Sequence, residues 1–127
     1  MIRKLVIISI LWGLLIMILS SIPGNSLPKS PSIPHFDKLV HAGLYFILAS
    51  FILPVLDLSK HNIVSKLSIP IVLSIVIIYG GFIEIAQDRW FTVRSGDTFD
   101  FLADIAGGVL AIGFYFIFSK KFFKKKF

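Results

Sequence analysis

The sequence contains no cysteine, which excludes disulfides, thiol chemistry and cysteine-ligated metals and leaves no reading of redox compartment. Charge is scarce as well: 16% of its 127 residues are charged, against about 25% in an ordinary soluble domain. Only seven residues are acidic. No nucleophile elbow, HExxH helix or phosphate-binding loop appears, and neither does an internal repeat or a low-complexity linker. These absences argue against a soluble enzyme, a disordered tail and a disulfide-stapled secreted module. Apolar residues fill the chain instead, at 56%, with a mean hydropathy of +0.88. The formal charge of +6 would suit a nucleic-acid partner, but five of the thirteen basic residues, Lys120, Lys121, Lys124, Lys125 and Lys126, sit in the last eight positions; without them it falls to +1. That pattern is a basic tail and not a nucleic-acid face, so no nucleic acid is expected.

The apolar residues gather in four blocks, Leu5–Ile22, Leu39–Leu56, Leu67–Ala86 and Phe101–Phe118, each close to the ~20 residues that cross a bilayer core. Their hydropathy is continuous and not alternating, which predicts transmembrane helices over strands. The first block shares its basic start with cleaved signal peptides. It is longer than a usual signal core, however, and Ile22-Pro23-Gly24 lacks a small-x-small cleavage site, so a retained helix is expected. Pro70 falls in the first turn of the third block, where a missing N–H is tolerated. The fold expected is all-α: a single domain over residues 1–127 forming an integral membrane bundle of four transmembrane helices. Nine Lys and Arg lie on the side of the two termini and the 57–66 loop, and four on the side of the 23–38 and 87–100 loops. The positive-inside rule then predicts both termini in the cytoplasm. The tail, with Phe122, Phe123 and Phe127 among its lysines, is expected to lie against anionic headgroups.

Six of the seven acidic residues, Asp37, Glu84, Asp88, Asp97, Asp100 and Asp104, fall in or beside the two loops assigned to the outside. Asp37, His41 and Tyr45 recur at steps of four, on one helical face. At ~1.5 Å per residue His41 lies about 6 Å inside Asp37. Glu84 and Gln87 leave the third span together, and Asp97, Asp100 and Asp104 enter the fourth as one stripe. His41, Glu84 and Asp104 therefore arrive at similar depth. A mid-membrane Asp costs about 2.5–3.5 kcal/mol on insertion scales, less near the interface, so these groups are expected to face one another inside the bundle, where Glu84 and Asp104 would share a proton with His41 as cationic partner. Gly107, Gly108 and Ala111 continue the Asp104 stripe as a small-residue seam, Gly80-Gly81 offers the same on the third span, and Phe101, Leu102, Ile105 and Val109 form the flank suited to lipid.

Each feature also has a plainer structural account. His41 with Glu84 would be an ion pair that fixes helix register, and Arg94 with Asp97 or Asp100 would tie down a loop. Asp37 and Asp100 suit helix N-termini, where carboxylates complement the dipole. Trp12, Tyr79 and Trp90 read as packing or interface anchors, and Tyr45 as a hydrogen-bond partner for a nearby carboxylate. The plainer account leaves unexplained why the whole set meets at one depth.

Asp37-Lys38-Leu39-Val40-His41 followed by Tyr45, then Glu84-x-x-Gln87, then Arg94 with Asp100-x-x-x-Asp104-x-x-Gly107, resembles the VanZ-like family of small bacterial membrane proteins over residues 36–108. The chain departs from the family pattern in carrying Asp104 where Asn is usual, a change that nearly keeps size and can add a negative charge. The resemblance implies a multi-pass protein of the bacterial cytoplasmic membrane. The family's founding member is associated with low-level resistance to teicoplanin, a glycopeptide antibiotic.

Three functions fit these residues. In the first, a pocket at the outer face, lined by Asp37, Lys38, His41, Tyr45, Glu84, Gln87, Arg94, Asp100 and Asp104, binds a polar lipid headgroup, a lipid-linked cell-wall intermediate or a glycopeptide. Lys38 and Arg94 would take phosphate, and the carboxylates amines, hydroxyls or a cation. In the second, a membrane enzyme acts on a lipid-linked phosphate or sugar, with His41 or Glu84 as general acid/base. No metal-ligand motif assigns a metal site; as a cofactor, Mg²⁺ or Mn²⁺ suits the carboxylates and single His better than Zn²⁺. In the third, the polar layer only pins helices or a partner subunit.

Overall fold

In hydrocarbon every backbone N–H and C=O needs a partner within the chain, and a helix supplies all of them locally. The computed structural model, which describes residues 1–23, 34–91 and 96–126, is helical throughout its long apolar runs. Helix α1 spans Ile2–Ser21 and α2 Phe36–Asp57; a short α3, Asn62–Lys66, leads into α4, Ser68–Arg89. Helix α5, Thr98–Phe114, continues through one π-helical turn, Tyr115–Ser119, into α6, Lys120–Lys126. Four helices are long and apolar enough to cross a membrane: α1, α2, α4 and the continuous segment Thr98–Lys126. At ~1.5 Å per residue each of the first three is about 30 Å long, the thickness of a bilayer core.

The ends carry local signals. Asp97 caps α5, its side chain accepting from the Phe99 N–H at 2.8 Å, and Asp37 and Asp100 lie in the first turns of α2 and α5, where carboxylates complement the helix dipole. His35 precedes α2 in the left-handed region (φ 58°), and its carbonyl receives the Lys38 and Leu39 N–H groups. Pro54 sits in the last turn of α2, and its carbonyl still accepts from Leu58.

Lys38 near the start of α2 meets Asp97 and Asp100 at the start of α5, and Asp57 at the end of α2 meets Tyr115 and Lys120. The two helices therefore run parallel. Ser20 of α1 meets Gln87 of α4, and Gly13 meets Tyr79, so α1 and α4 run together in the opposite sense. Helices α2 and α5 pack most extensively, through backbone proximity: a Cβ placed on Gly107 would collide with the carbonyl of Ala42, with its C atom at 2.9 Å. Gly108 lies under Val76 of α4. The core is formed by Ile16, Tyr45, Leu48, Ala49, Leu53, Val72, Val76, Ala111 and Tyr115. Ile7, Ile10, Ile78, Leu110 and Ile117 point outward, as lipid-facing side chains do.

Helix α1 is the least buried of the four. Side chains reaching backbone carbonyls tie it in: Trp12 Nε1 donates to Leu44 O at 2.9 Å, Gln87 Nε2 to Ser20 O at 3.1 Å, and the Tyr79 hydroxyl to Gly13 O.

The helix that carries the fourth span runs on past Phe118 to Lys126. No Gly or Pro interrupts the chain there, and the lysines extend the helix. Tyr115 donates to Asp57 Oδ2 at 3.1 Å and Lys120 approaches its Oδ1 at 3.4 Å, while Phe123 packs on Tyr115 with ring centroids 6.1 Å apart. The start of the tail is thus docked on the end of α2; Phe127 lies outside the described residues. On the flank of α5 expected to face lipid, Leu102 and Val109 are exposed, but Phe101 is half-buried against Gly80 and Gly81, because two adjacent glycines leave a hollow on α4.

Candidate functional site

The starts of α2 and α5 and the end of α4 meet at one end of the bundle, and the chain's acidic residues concentrate there. Lys38 is surrounded by carboxylates. Its Nζ hydrogen-bonds Asp37 Oδ2, lies 2.9 Å from Asp97 Oδ2, and makes an ionic contact of 2.9 Å with Asp100 Oδ1. Asp97, at the cap position just before α5, is held below the usual carboxylate range, first by the Lys38 hydrogen bond and then by the Phe99 N–H.

One turn deeper, His41 stands between two carboxylates: its Nδ1 is 2.9 Å from Asp104 Oδ1 and its Nε2 is 3.5 Å from Asp100 Oδ2. Asp104 is fully buried. Its other oxygen points at Gly80, where an added Cβ would stand 3.0 Å away, so this glycine makes the room for a carboxylate in the core. Glu84, one turn above Gly80 on α4, accepts the Asp97 N–H on Oε2 at 2.8 Å. Donor atoms of His41, Glu84 and Asp104 all lie within 4.8 Å of one another, as do those of Asp37, Asp97 and Asp100. Among the described residues, three buried oxygens near the deeper group lack a hydrogen-bond partner: Glu84 Oε1, Asp104 Oδ2 and the Tyr45 hydroxyl.

Two cavities flank this cluster. An open cleft of about 430 Å³ lies between the end of α4 and the start of α5, lined by Gly81, Glu84, Asp88, Arg89, Asp97 and Phe101 among others. On the α1 side a smaller, more enclosed and mostly apolar pocket of about 150 Å³ is bordered by Ile16, Ser20, His41, Tyr45 and Ile83.

The structure brings together Lys38, His41, Glu84, Asp100 and Asp104, with Tyr45 beneath them and Asp37 at the exposed rim. Gln87 is not with them: it is buried and turned to the Ser20 carbonyl of α1. Arg94 lies outside the described residues. His41 meets Asp104, one of its two expected partners, together with Asp100; the ion pair with Glu84 of the plainer account is not formed, since α2 packs on α5 and Glu84 Oε2 accepts the Asp97 N–H. Sequence reasoning left Asp97 out of the site, although Asp97-Thr98-Phe99 carries a helix-cap signature. It also left out the cleft residues Asp88 and Arg89, and no local signal marks those.

Four apolar helices and the outward apolar side chains define a multi-pass integral membrane protein in contact with lipid, its polar groups gathered at one end of the bundle. No family model, curated protein or solved structure matches the chain.

Proposed function

We propose that this is a VanZ-like protein of the bacterial cytoplasmic membrane, with both termini in the cytoplasm, whose outward-facing acidic end binds the polar head of an amphiphile. The observation that carries the reading is the open cleft beside Glu84. Its lining sets Glu84, Asp88 and Asp97 against Arg89, a lateral opening at headgroup level with excess negative charge. An ammonium or hydroxyl-rich head suits the carboxylates, and Arg89 suits a phosphate. Lys38, expected to take phosphate, is engaged by carboxylates, so the anionic part of a ligand falls to Arg89. Aminophospholipids and lipid-linked wall intermediates share this ammonium or hydroxyl chemistry, and a glycopeptide acting on such intermediates would meet the protein at the same face.

The test is lipid retention by the purified full-length chain, read by native mass spectrometry. Phosphatidylethanolamine should be retained over phosphatidylglycerol by about fivefold, the equivalent of about 1 kcal/mol for one favourable charge at the surface, and Asp88→Lys should abolish the preference. Equal retention by the wild type refutes the reading. The orientation has its own test. With no native cysteine, Asp88→Cys should label in intact cells with an impermeant thiol reagent and Lys124→Cys should not; the reverse pattern inverts the topology.

A further inference from the structure

We infer that His41, Glu84 and Asp104 form a binding site for a divalent cation, with the Tyr45 hydroxyl completing its inner side. The inference is separate from headgroup binding, although Glu84 borders both places. Three helices each contribute one donor, and the donor atoms lie within 4.8 Å of one another. Opposite ligands on an ion with bonds of about 2.2 Å stand about 4.4 Å apart, and adjacent ones about 3.1 Å. Three donors no more than 4.8 Å apart therefore close on an ion with side-chain adjustments of at most about half an ångström each.

Clustered carboxylates alone would not make a site; the unpartnered buried oxygens supply the second observation. Asp104 is 0% exposed and Tyr45 1%, and neither Asp104 Oδ2 nor the Tyr45 hydroxyl has a hydrogen-bond partner among the described residues. Tyr45 lies within electrostatic range of both Asp104 and Glu84. A buried oxygen without a donor is costly, and here three of them, counting Glu84 Oε1, belong to residues of this one cluster. Lys38, the ammonium nearest by, is already shared among Asp37, Asp97 and Asp100, so it does not neutralise the deeper pair of carboxylates. His41 is oriented for ligation: with Nε2 turned to Asp100 Oδ2 at 3.5 Å, the Nδ1 lone pair faces Asp104 Oδ1 at 2.9 Å. Two acceptors held that close call for a cation between them. A carboxylate on the far nitrogen of a histidine is also the usual support of a metal-bound imidazole. The open cleft supplies an entrance, because Glu84 lines it together with Asp88 and Asp97. Carboxylate and phenol oxygens with a single imidazole favour an ion of intermediate hardness, such as Mn²⁺, over Zn²⁺ held by several nitrogens or thiolates.

The experiment uses the full-length chain, stripped with chelator, in detergent free of phospholipid, and titrates Mn²⁺ while electron paramagnetic resonance follows the free ion. One saturable Mn²⁺ per chain is expected, displaced by excess Mg²⁺, with nitrogen modulation of the bound signal from His41. Asp104→Asn and Glu84→Gln should each weaken binding at least tenfold, and Gly113→Ala, away from the site and with open space around the added Cβ, should leave it within twofold. No saturable binding at millimolar Mn²⁺ overturns the site. So does bound Mn²⁺ without nitrogen modulation, a wild-type measurement that holds even if the variants fail to fold. Loss of binding in Asp97→Asn with retention in Asp104→Asn would move the ion to the outer carboxylates and equally overturn the proposal.

Discussion

Replacing Gly107 by Ala adds one methyl group where α2 and α5 touch through their backbones. The new Cβ would collide with the Ala42 carbonyl oxygen, and the Ala42 C and Cα atoms would stand at 2.9 and 3.0 Å. Neither neighbour is a flexible side chain, so relief requires the helices to part by about 1 Å, and overpacking of that kind costs about 1–3 kcal/mol. The same two helices hold the Lys38–Asp100 and His41–Asp104 contacts, each at 2.9 Å, and parting them lengthens both. The total expected is about 2–3 kcal/mol, roughly 30- to 150-fold in the folding equilibrium at about 1.4 kcal/mol per tenfold. Gly113 is the control, since a Cβ there meets nothing within 4 Å; Gly113→Ala should be neutral or stabilising by up to about 1 kcal/mol through helix propensity. Steric-trap unfolding in bicelles measures both. If Gly107→Ala falls within about 0.5 kcal/mol of wild type, the range of an inconsequential surface change, the close approach of α2 and α5 is not what sets their spacing.

Asp57→Ala removes the acceptor of Tyr115 and the partner of Lys120, and should cost about 1–2 kcal/mol while exposing the tail to trypsin; unchanged proteolysis would contradict the docked tail. Gln87→Leu deletes the bond to the Ser20 carbonyl, worth about 0.6 kcal/mol for an average interhelical bond in a membrane, and should raise the labelling rate of cysteines placed along α1 with little effect on global unfolding. Asp97 is held below its ordinary value by Lys38 and the Phe99 N–H. Its contribution is therefore fully present above the unfolded carboxylate pKa of about 3.9 and is lost as pH falls through the lower folded value. Asp97→Asn should flatten the loss of thermal stability below about pH 4; an identical acid limb in wild type and variant would rule this out.

The helices and the inward stripe of α5 were legible because hydrophobic continuity fixes the spans and helical periodicity fixes which side chains share a face. Asp100, Asp104, Gly107, Gly108 and Ala111 are indeed all buried on one side of α5. The partner of His41 was not legible. Depth placed Glu84 and Asp104 equally near, and the choice depends on how closely α2 and α5 approach. Glycine seams permit that approach without specifying the neighbour. Gln87 shows the limit of face arithmetic: three residues from Glu84 is about 60° off the same line, enough to turn it to α1. Hydropathy ends where the lysines begin, so the continuation of the last helix past Phe118 into Lys120–Lys126 was hidden. The anchor for that continuation, Asp57, lies on another helix.

The bonds that tie α1 to the bundle end, on one side, at main-chain carbonyls: Leu44 O receives Trp12, Gly13 O receives Tyr79 and Ser20 O receives Gln87. Every amino acid brings the same carbonyl, and a Cβ at Gly13 has open space around it. Position 13 can therefore take a side chain without surrendering its bond, whereas buried Ser20 is held by its packing and the donors at 12, 79 and 87 cannot change. Outside its buried positions Ile16 and Ser20, helix α1 is recognised by the pitch of its backbone more than by its letters, and a different apolar helix of the same length keeping Trp12, Ile16 and Ser20 should seat in its place.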